Sequence, residues 1–370
     1  MLLIKTQRDA LLAPLQSVSG IVEKKHTLPI LSNVLLEKAG DKLTLLATDI
    51  EIQITTSTDA VGGEGDAAVT VGARKLQDIL RSLPDTAEVA VTVDDKRLLV
   101  KAGKSRFTLQ TLPAEDFPRM TLAEGEQKSL TVTQKQFRQL LGKTQFAMAA
   151  QDVRYYLNGL LLLVEGNELR AVATDGHRLA YASMPLDGEA LPARHELILP
   201  RKTVLELSRL LADSDDALVI ELAPNQVRFK FGHITLVSKQ IDGKFPDYER
   251  VIPPSLRNIV TLNRAALLQS MVRAAILTNE KFRGVRLVLG TGSMKIMAAN
   301  SEQEEAQEEL EVDYAGDPID VGFNVGYLLD VLNNSSSELI EWGFNDANSS
   351  ALLTIPGNDR FKYVVMPMRI

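Results

Sequence analysis

A chain that repeats its own landmarks at one interval must fold as copies of one unit. "ATD" stands at 47–49 and again at 173–175, 126 residues apart. "ARK" at 73–75 answers "PRK" at 200–202, 127 apart, and "FPRM" from Phe117 answers "FPDY" from Phe245, 128 apart. Three landmarks in one order at nearly one spacing define a repeat, which constrains the fold more than any local propensity does. A fainter third copy follows. "LNRAALLQSMVRAA" (262–275) takes the place of "TQRDALLAPLQSV" (6–18) and "TQKQFRQLLGKTQF" (133–146). "MKIMAAN" (294–300) stands where "LTLLATD" (43–49) and "LRAVATD" (169–175) stood. "FNVGYLLDVL" takes the ARK/PRK position, and "YVVMPM" the Phe-Pro position. The 370 residues therefore divide into three repeats, expected at 1–126, 127–252 and 253–370. The polar stretches "TLAEGEQKS" and "VIPPSLRN" serve as the connections.

Each copy carries two helical signals. Apolar residues fall at i, i+3, i+4, i+7 in Leu11/Pro14/Leu15/Val18, Leu76/Ile79/Leu80/Leu83, Leu268/Met271/Val272/Ala275 and Val325/Leu328/Leu329/Leu332. Phe137/Leu140/Leu141 and Val204/Leu207/Leu211 follow the pattern with gaps. Pro14 inside the first predicts a bent or short helix. Alternating stretches such as "EVAVTVDDKRLLVKA" and "ALVIELAPNQVRFKF" read as strand–turn–strand. The class expected is α+β, with six helices and many antiparallel strands.

Charge separates these elements. The six helical windows hold twelve basic and four acidic residues, a net +8 that leaves −15 for the rest of a chain whose total is −7. The overall sign argues weakly against nucleic acid, but binding depends on where charges sit. Basic solvated faces are common on helices. Basic helices in successive repeats beside acidic strands and loops suit a surface that attracts phosphate backbones without reading sequence. The chain has no cysteine, hence no disulfide and no thiolate metal site. Lys5, Arg8 and Asp9 interrupt the N-terminal apolar residues, and no apolar run approaches the ~18 residues of a membrane span, so a cytoplasmic protein is expected.

"ATDGHRLA" (173–180) looks most like an active site, with Asp175, His177, Arg178 and Thr174 together and Ser183 nearby. A hydrolase using Asp175 and His177 is conceivable, but an Asp and a His two apart on a strand and turn have no reason to converge. The equivalent "ATDIEI" and "AANSEQ" lack His, so the shared acidic position reads as an Asx-type turn. "GTGSMK" (290–295) fits neither a phosphate loop nor a dinucleotide fingerprint. His26, His177, His195 and His233 show no metal-ligand spacing, and no metal or cofactor is expected.

The repeats and several long motifs resemble the bacterial DNA polymerase III beta subunit family, the sliding clamps. The match rests on "TLPIL" (27–31), "QDVRYYLNG" (151–159), "ATDGHRLA", "DGKFPDYERV" (242–251), "AAILTNEKFRGVRL" (274–287), "GFNVGYLLDVLN" (322–333) and "YVVMPMRI" (363–370), and covers the whole chain. The resemblance implies three tandem DNA-clamp repeats in a head-to-tail homodimeric ring. Helices line a hole that encircles duplex DNA and antiparallel sheets lie outside. It implies a non-catalytic processivity subunit near the nucleoid that also engages primed DNA. Partners would be the polymerase III alpha subunit, the clamp-loader delta subunit, other polymerases, ligase and mismatch-repair proteins, all through short peptides. A peptide-binding scaffold with no DNA role is the alternative.

Carried over position by position, DNA contacts fall on Lys25, Arg74, Gln151, Tyr155 and Tyr156. Lys25 stands where many relatives have Arg, keeping the charge but not the planar fork. Adjacent tyrosines on a strand would face opposite ways, one inward. The family's peptide pocket maps to Leu157, Thr174, Gly176, His177, Arg178, Leu179, Pro246, Arg250 and Val251. The third repeat adds Asn324, Tyr327, Asn348, Ser350, Val364, Val365, Met366, Pro367, Met368 and Arg369. Gly176 would admit a close backbone, and His177 and Arg178 would donate to the peptide. The dimer edges map to Lys104, Arg106, Phe107 and Leu109 on one side. On the other they map to Ile276, Leu277, Glu302, Glu304 and Glu308.

Overall fold

The computed structural model describes residues 1–23, 28–59, 62–94, 96–121, 128–187 and 191–369. Lys25 and His26 lie outside them, as does most of the first connection. The first repeat runs β1 (Leu2–Gln7), α1 (Arg8–Ser19), β2 (Asn33–Ala39), β3 (Lys42–Thr48), β4 (Ile52–Asp59), β5 (Ala67–Gly72), α2 (Ala73–Ser82), β6 (Glu88–Asp94), β7 (Arg97–Ala102) and β8 (Ser105–Leu112). The second has the same order. It runs β9 (Lys128–Thr133), α3 (Gln134–Gly142), β10 (Gly159–Gly166), β11 (Glu168–Thr174), β12 (Arg178–Pro185), β13 (Leu191–Pro200), α4 (Arg201–Leu210), β14 (Ala217–Leu222), β15 (Gln226–Phe231) and β16 (Ile234–Lys239). The third runs β17 (Asn258–Asn263), α5 (Arg264–Ala275), β18 (Gly284–Gly290), β19 (Ser293–Ala299), β20 (Glu305–Glu311), β21 (Ile319–Asn324), α6 (Val325–Asn334), β22 (Leu339–Phe344), β23 (Ala351–Ile355) and β24 (Asn358–Val365).

The strands pair by one rule. In every copy the fifth, second, third and fourth strands form one antiparallel set, and the first, sixth, seventh and eighth another. Consecutive copies join through their fourth and eighth strands. β4 pairs with β16 from Thr55↔Thr235 to Ile52↔Ser238, and β12 with β24 from Ala182↔Phe361 to Arg178↔Val365. These ladders create the 12-stranded and 8-stranded sheets, while β20-β19-β18-β21 stands as a 4-stranded one. The compact units follow the sheets rather than the repeats: Met1–Lys135 with Leu205–Gln240, and Gln136–Val204 with Ile241–Ile370.

Apolar periodicity places the helices on the sheets. α2 buries Ala73, Leu76 and Leu80; α5 buries Leu267, Met271 and Ala274, so the expected face of Leu268, Met271, Val272 and Ala275 is corrected by one position, with Val272 exposed. Asparagines start both third-repeat helices: Asn263 accepts from the Ala266 amide and Asn324 from the Gly326 amide, each freeing one amide from the cost of burial unpaired. α1 runs 12 residues through Pro14, so of the expected bent or short helix the short alternative is corrected. The lost amide costs that helix one hydrogen bond, and buried Leu11, Leu12, Leu15 and Val18 offset it by packing. No helix among the described residues is long and apolar enough to cross a membrane.

The Phe-Pro landmarks are plugs. Phe117 packs with Leu35, Leu46 and Ala114 in the first unit, and Phe245 with Leu161, Leu163, Val172, Leu179 and Val364 in the second. The sheet under Phe245 is therefore covered on a face that would otherwise meet water, and β10 is buried along Gly159–Val164 on both sides.

Candidate functional site

The "ATD" sequences build one turn three times. Asp175 Oδ1 accepts from the amides of His177 (2.9 Å) and Arg178 (3.1 Å), while the Thr174 hydroxyl donates to the Arg178 carbonyl (2.6 Å). In the first repeat Asp49 Oδ1 accepts from Glu51 and Ile52, and Thr48 donates to the Ile52 carbonyl. In the third, Asn300 Oδ1 accepts from Glu302 and Glu304. The shared Asp/Asn position is an Asx turn at a strand end. It holds backbone amides, not an imidazole, so the cluster is built as architecture.

In the second repeat this turn becomes the wall of a cavity of about 410 Å³. Leu157, Leu179, Val364, Pro246, Val251 and Met366 supply apolar surface, and Thr174, Gly176, His177, Arg178, Arg250 and Ser350 complete the lining expected from sequence. Arg154, Tyr156 and Tyr248 also line it and were missed. On sequence, Tyr156 is assigned to DNA and Arg154 to neither site, although Leu157 of the same motif is placed in the pocket, and Tyr248 is passed over beside Pro246.

Several of the expected residues are committed within the fold or lie outside this cavity. Arg178 is tied into the fold: it is 9 % exposed, and its guanidinium bonds Asp175 (3.2 Å), Asp330 on α6 (2.5 Å) and the Phe146 carbonyl (2.6 Å). The Tyr327 ring covers it at 4.5 Å and stacks on His177 at 6.4 Å between centroids. His177 is exposed and remains available. Gly176, at φ +89°, is approached by the Arg154 guanidinium, 2.8 Å from where a Cβ would stand. Asn324 is spent as the cap of α6 and as a donor to the Phe282 carbonyl. Tyr327 faces an adjoining cavity with Gln151, Asp152, Arg201 and Asp330, which shares His177 and Arg178 with the first. Asn348 lies in an exposed turn held by Asp346. Val365 is fully buried, facing away from Val364 as strand alternation requires. Met366 and Met368 tie the tail down by donating amide hydrogen bonds to the His177 and Gly322 carbonyls. Pro367 and Arg369 flank Met368 and do not line the cavity.

The loop before β10 is stiff. Asp152 and Asn158 exchange hydrogen bonds, and the Asp152 carboxylate takes two from the Arg154 guanidinium and one from its amide. The bonds from Arg154 hold the Asp152 carboxyl down to about 2. Burial pushes the Tyr363 hydroxyl up, so it stays protonated and donates to the Tyr327 carbonyl. Tyr155 and Tyr156 lie in a 3-10 turn, Tyr155–Leu157, not on a strand. Tyr155 is 57 % exposed, while Tyr156 packs against the core.

Among the basic helix residues, several are neutralised inside their own unit. Arg8 pairs with Asp9 and Asp85, Arg209 with Glu206, and Arg273 with Glu308. Arg74 is exposed and donates to the Val22 carbonyl, beside the segment leading to Lys25. With Gln77 and Arg81 it lines an open basin of about 540 Å³ shared with α1 and α4.

The edges are now defined. β8 faces β7, and only Thr111 and Leu112 reach β5, so Ser105–Gln110 presents a bare edge with Arg106 exposed and Phe107 and Leu109 half-buried. Lys104 is exposed just before it. Among the described residues β20 pairs only with β19. Beside it, Ile276 is 75 % exposed, Leu277 is half-buried, and Glu302 and Glu304 are exposed. Glu308 already holds Arg273 at 2.9 and 2.5 Å.

Family models for the N-terminal, central and C-terminal domains of the DNA polymerase III beta subunit match residues 2–121, 131–247 and 249–369. The chain belongs to the DNA polymerase III beta subunit family. Within that family it is 52 % identical to the beta sliding clamp of Pseudomonas putida over 98 % of this chain and 99 % of the relative. It is 47 % identical to that of Escherichia coli K12 over the same shares. The solved beta subunit of Pseudomonas aeruginosa bound to griselimycin is 48 % identical, with a TM-score of 0.95 over 100 % of both chains.

Proposed function

We propose that this chain is a sliding clamp: a non-catalytic subunit that closes head to tail with a second copy around duplex DNA and tethers the replicative polymerase and other replication and repair proteins. The pairing rule carries this reading. The fourth strand of one copy pairs with the eighth of the next in both places the chain allows. Among the described residues only β20 and β8 are left without that partner. A second chain supplies each with the other, and a closed dimer satisfies all six ladders. The apolar centre of the joint is Phe107, Leu109, Ile276 and Leu277. Lys104 and Arg106 meet the acidic run containing Glu302, Glu304 and Glu308 at its rim.

DNA is held by Lys25, Arg74, Gln151 and Tyr155. A topological link needs few phosphate contacts, so the ring slides. An exposed Tyr155 suits stacking on an unpaired base at a primed junction. The 410 Å³ cavity takes a short apolar-aromatic peptide from each partner, with Leu157, Leu179, Val364 and Met366 as the greasy wall and His177 as donor. The protein acts in the cytoplasm at the nucleoid. The decisive experiment loads the protein on a nicked circular plasmid. It should be retained through gel filtration and lost when the circle is linearised; equal retention on linear and circular DNA would reject the clamp in favour of an ordinary scaffold.

A further inference from the structure

A second cavity, of about 600 Å³, lies end to end with the peptide cavity along one face of the β12·β24 ladder. The register sets this out. Leu179 opposite Val364 floors the first cavity, and two residues further along each strand Tyr181 opposite Lys362 floors the second. Residues two apart share a face and lie about 6.6 Å from each other, so one extended chain passes from one floor to the next. Tyr248 lines both cavities, and its ring stacks on Tyr181 at 5.9 Å. Ile252, Pro253, Pro254 and Leu256 of the second connection form the wall, continued by Ile259 on β17, which is 51 % exposed.

The charges around this cavity are unevenly spent. Arg170 is held by Glu168 at 2.6 Å, Glu165 at 3.4 Å and Glu249 at 3.7 Å. Lys362 lies over the Tyr181 ring at 5.6 Å and has no carboxylate within ion-pair distance among the described residues. The cavity therefore offers an aromatic and aliphatic floor beside one open cation, with Glu249 opposing any excess of negative charge.

We propose that this second cavity receives the residues flanking a partner's clamp-binding peptide: an apolar side chain seated on Tyr181 and Ile259, followed by a single carboxylate paired with Lys362. The inference rests on the peptide reading of the first cavity and extends it. It makes flanking sequence a determinant of which partner holds the clamp when several compete for identical first cavities.

The test uses the full-length protein and fluorescent peptides. One probe is a decapeptide carrying the clamp-binding segment of the polymerase III alpha subunit. Others extend it by Leu-Pro-Asp at one end or the other, with Leu-Pro-Lys controls. One Asp extension should tighten binding about tenfold. Its Lys counterpart should gain little, and Lys362→Glu and Ile259→Ser should each remove the gain while leaving the unextended peptide unchanged. Binding of the short peptide with no gain from either extension, or a gain that survives both substitutions, overturns this inference alone. Failure of the short peptide to bind overturns the reading of the first cavity and this one with it. If Ile259→Ser instead changes the oligomeric state in sedimentation, the patch is a contact between copies and the proposal is wrong.

Discussion

Arg178 and His177 are neighbours with opposite duties. The arginine is buried with its charge matched by Asp175 and Asp330, so Arg178→Ala leaves carboxylates without their partner. It should cost about 3–5 kcal/mol in denaturant unfolding and weaken peptide binding as a consequence. The histidine is exposed and touches the fold chiefly through Tyr327. His177→Ala should leave unfolding unchanged while lowering peptide affinity roughly three- to tenfold by titration. Asp152 gives a pH test. Its folded value lies near 2, below the usual 3.8, so its contribution is present above the usual value and is lost as pH falls through about 2. Carboxyl NMR should find that midpoint, and Arg154→Ala should return it to the ordinary range. Sequence made the Asx turn legible, because three copies could be compared and two lacked His. The fate of Arg178 was not legible: its partner Asp330 is 152 residues away, and a carboxylate on a helix face carries no mark of what it will meet.

At the scale of elements, the periodicities announced six helices and the hairpins, because 3.6- and 2-residue patterns are local properties. They could not announce that the fourth and eighth strands of successive copies pair, since that register is settled by tertiary contact. Nor did they place Tyr155 and Tyr156, whose adjacency suggested a strand where a tight turn stands. The turn still divides the rings, one outward and one inward, by a different geometry. The edge strands yield a direct prediction. Ile276 and Leu277 flank β20 without helping to build its core, so changing both to Ala should give folded monomers in sedimentation velocity. A stable dimer at micromolar concentration would place the joint elsewhere. Reversing Arg106 to Glu should weaken the same association in a salt-dependent way.

For the whole molecule, peptide binding and DNA retention should separate. Removing residues 366–370 deletes Met366 from the cavity wall and two backbone hydrogen bonds of the tail. Polymerase binding should fall below detection while the protein still stays on nicked circles. Replacing Arg74 and Tyr155 should do the reverse, reducing loading at primed junctions with peptide affinity intact, and the residual DNA binding should decline steeply with salt. The matching of bare and filled strand positions has another consequence. A chain built this way is one stretch cut from an endless strip, and where the cut falls is a matter of covalent convenience. Splicing residue 370 to residue 1 through a flexible linker and opening the chain within the polar stretch after Met120 would exchange the two kinds of joint. The β20·β8 seam would then lie within one polypeptide, and β4·β16 would become the seam between two. Such a permutant should still encircle DNA, and its opening rate would report the strength of a ladder that the natural chain never unzips.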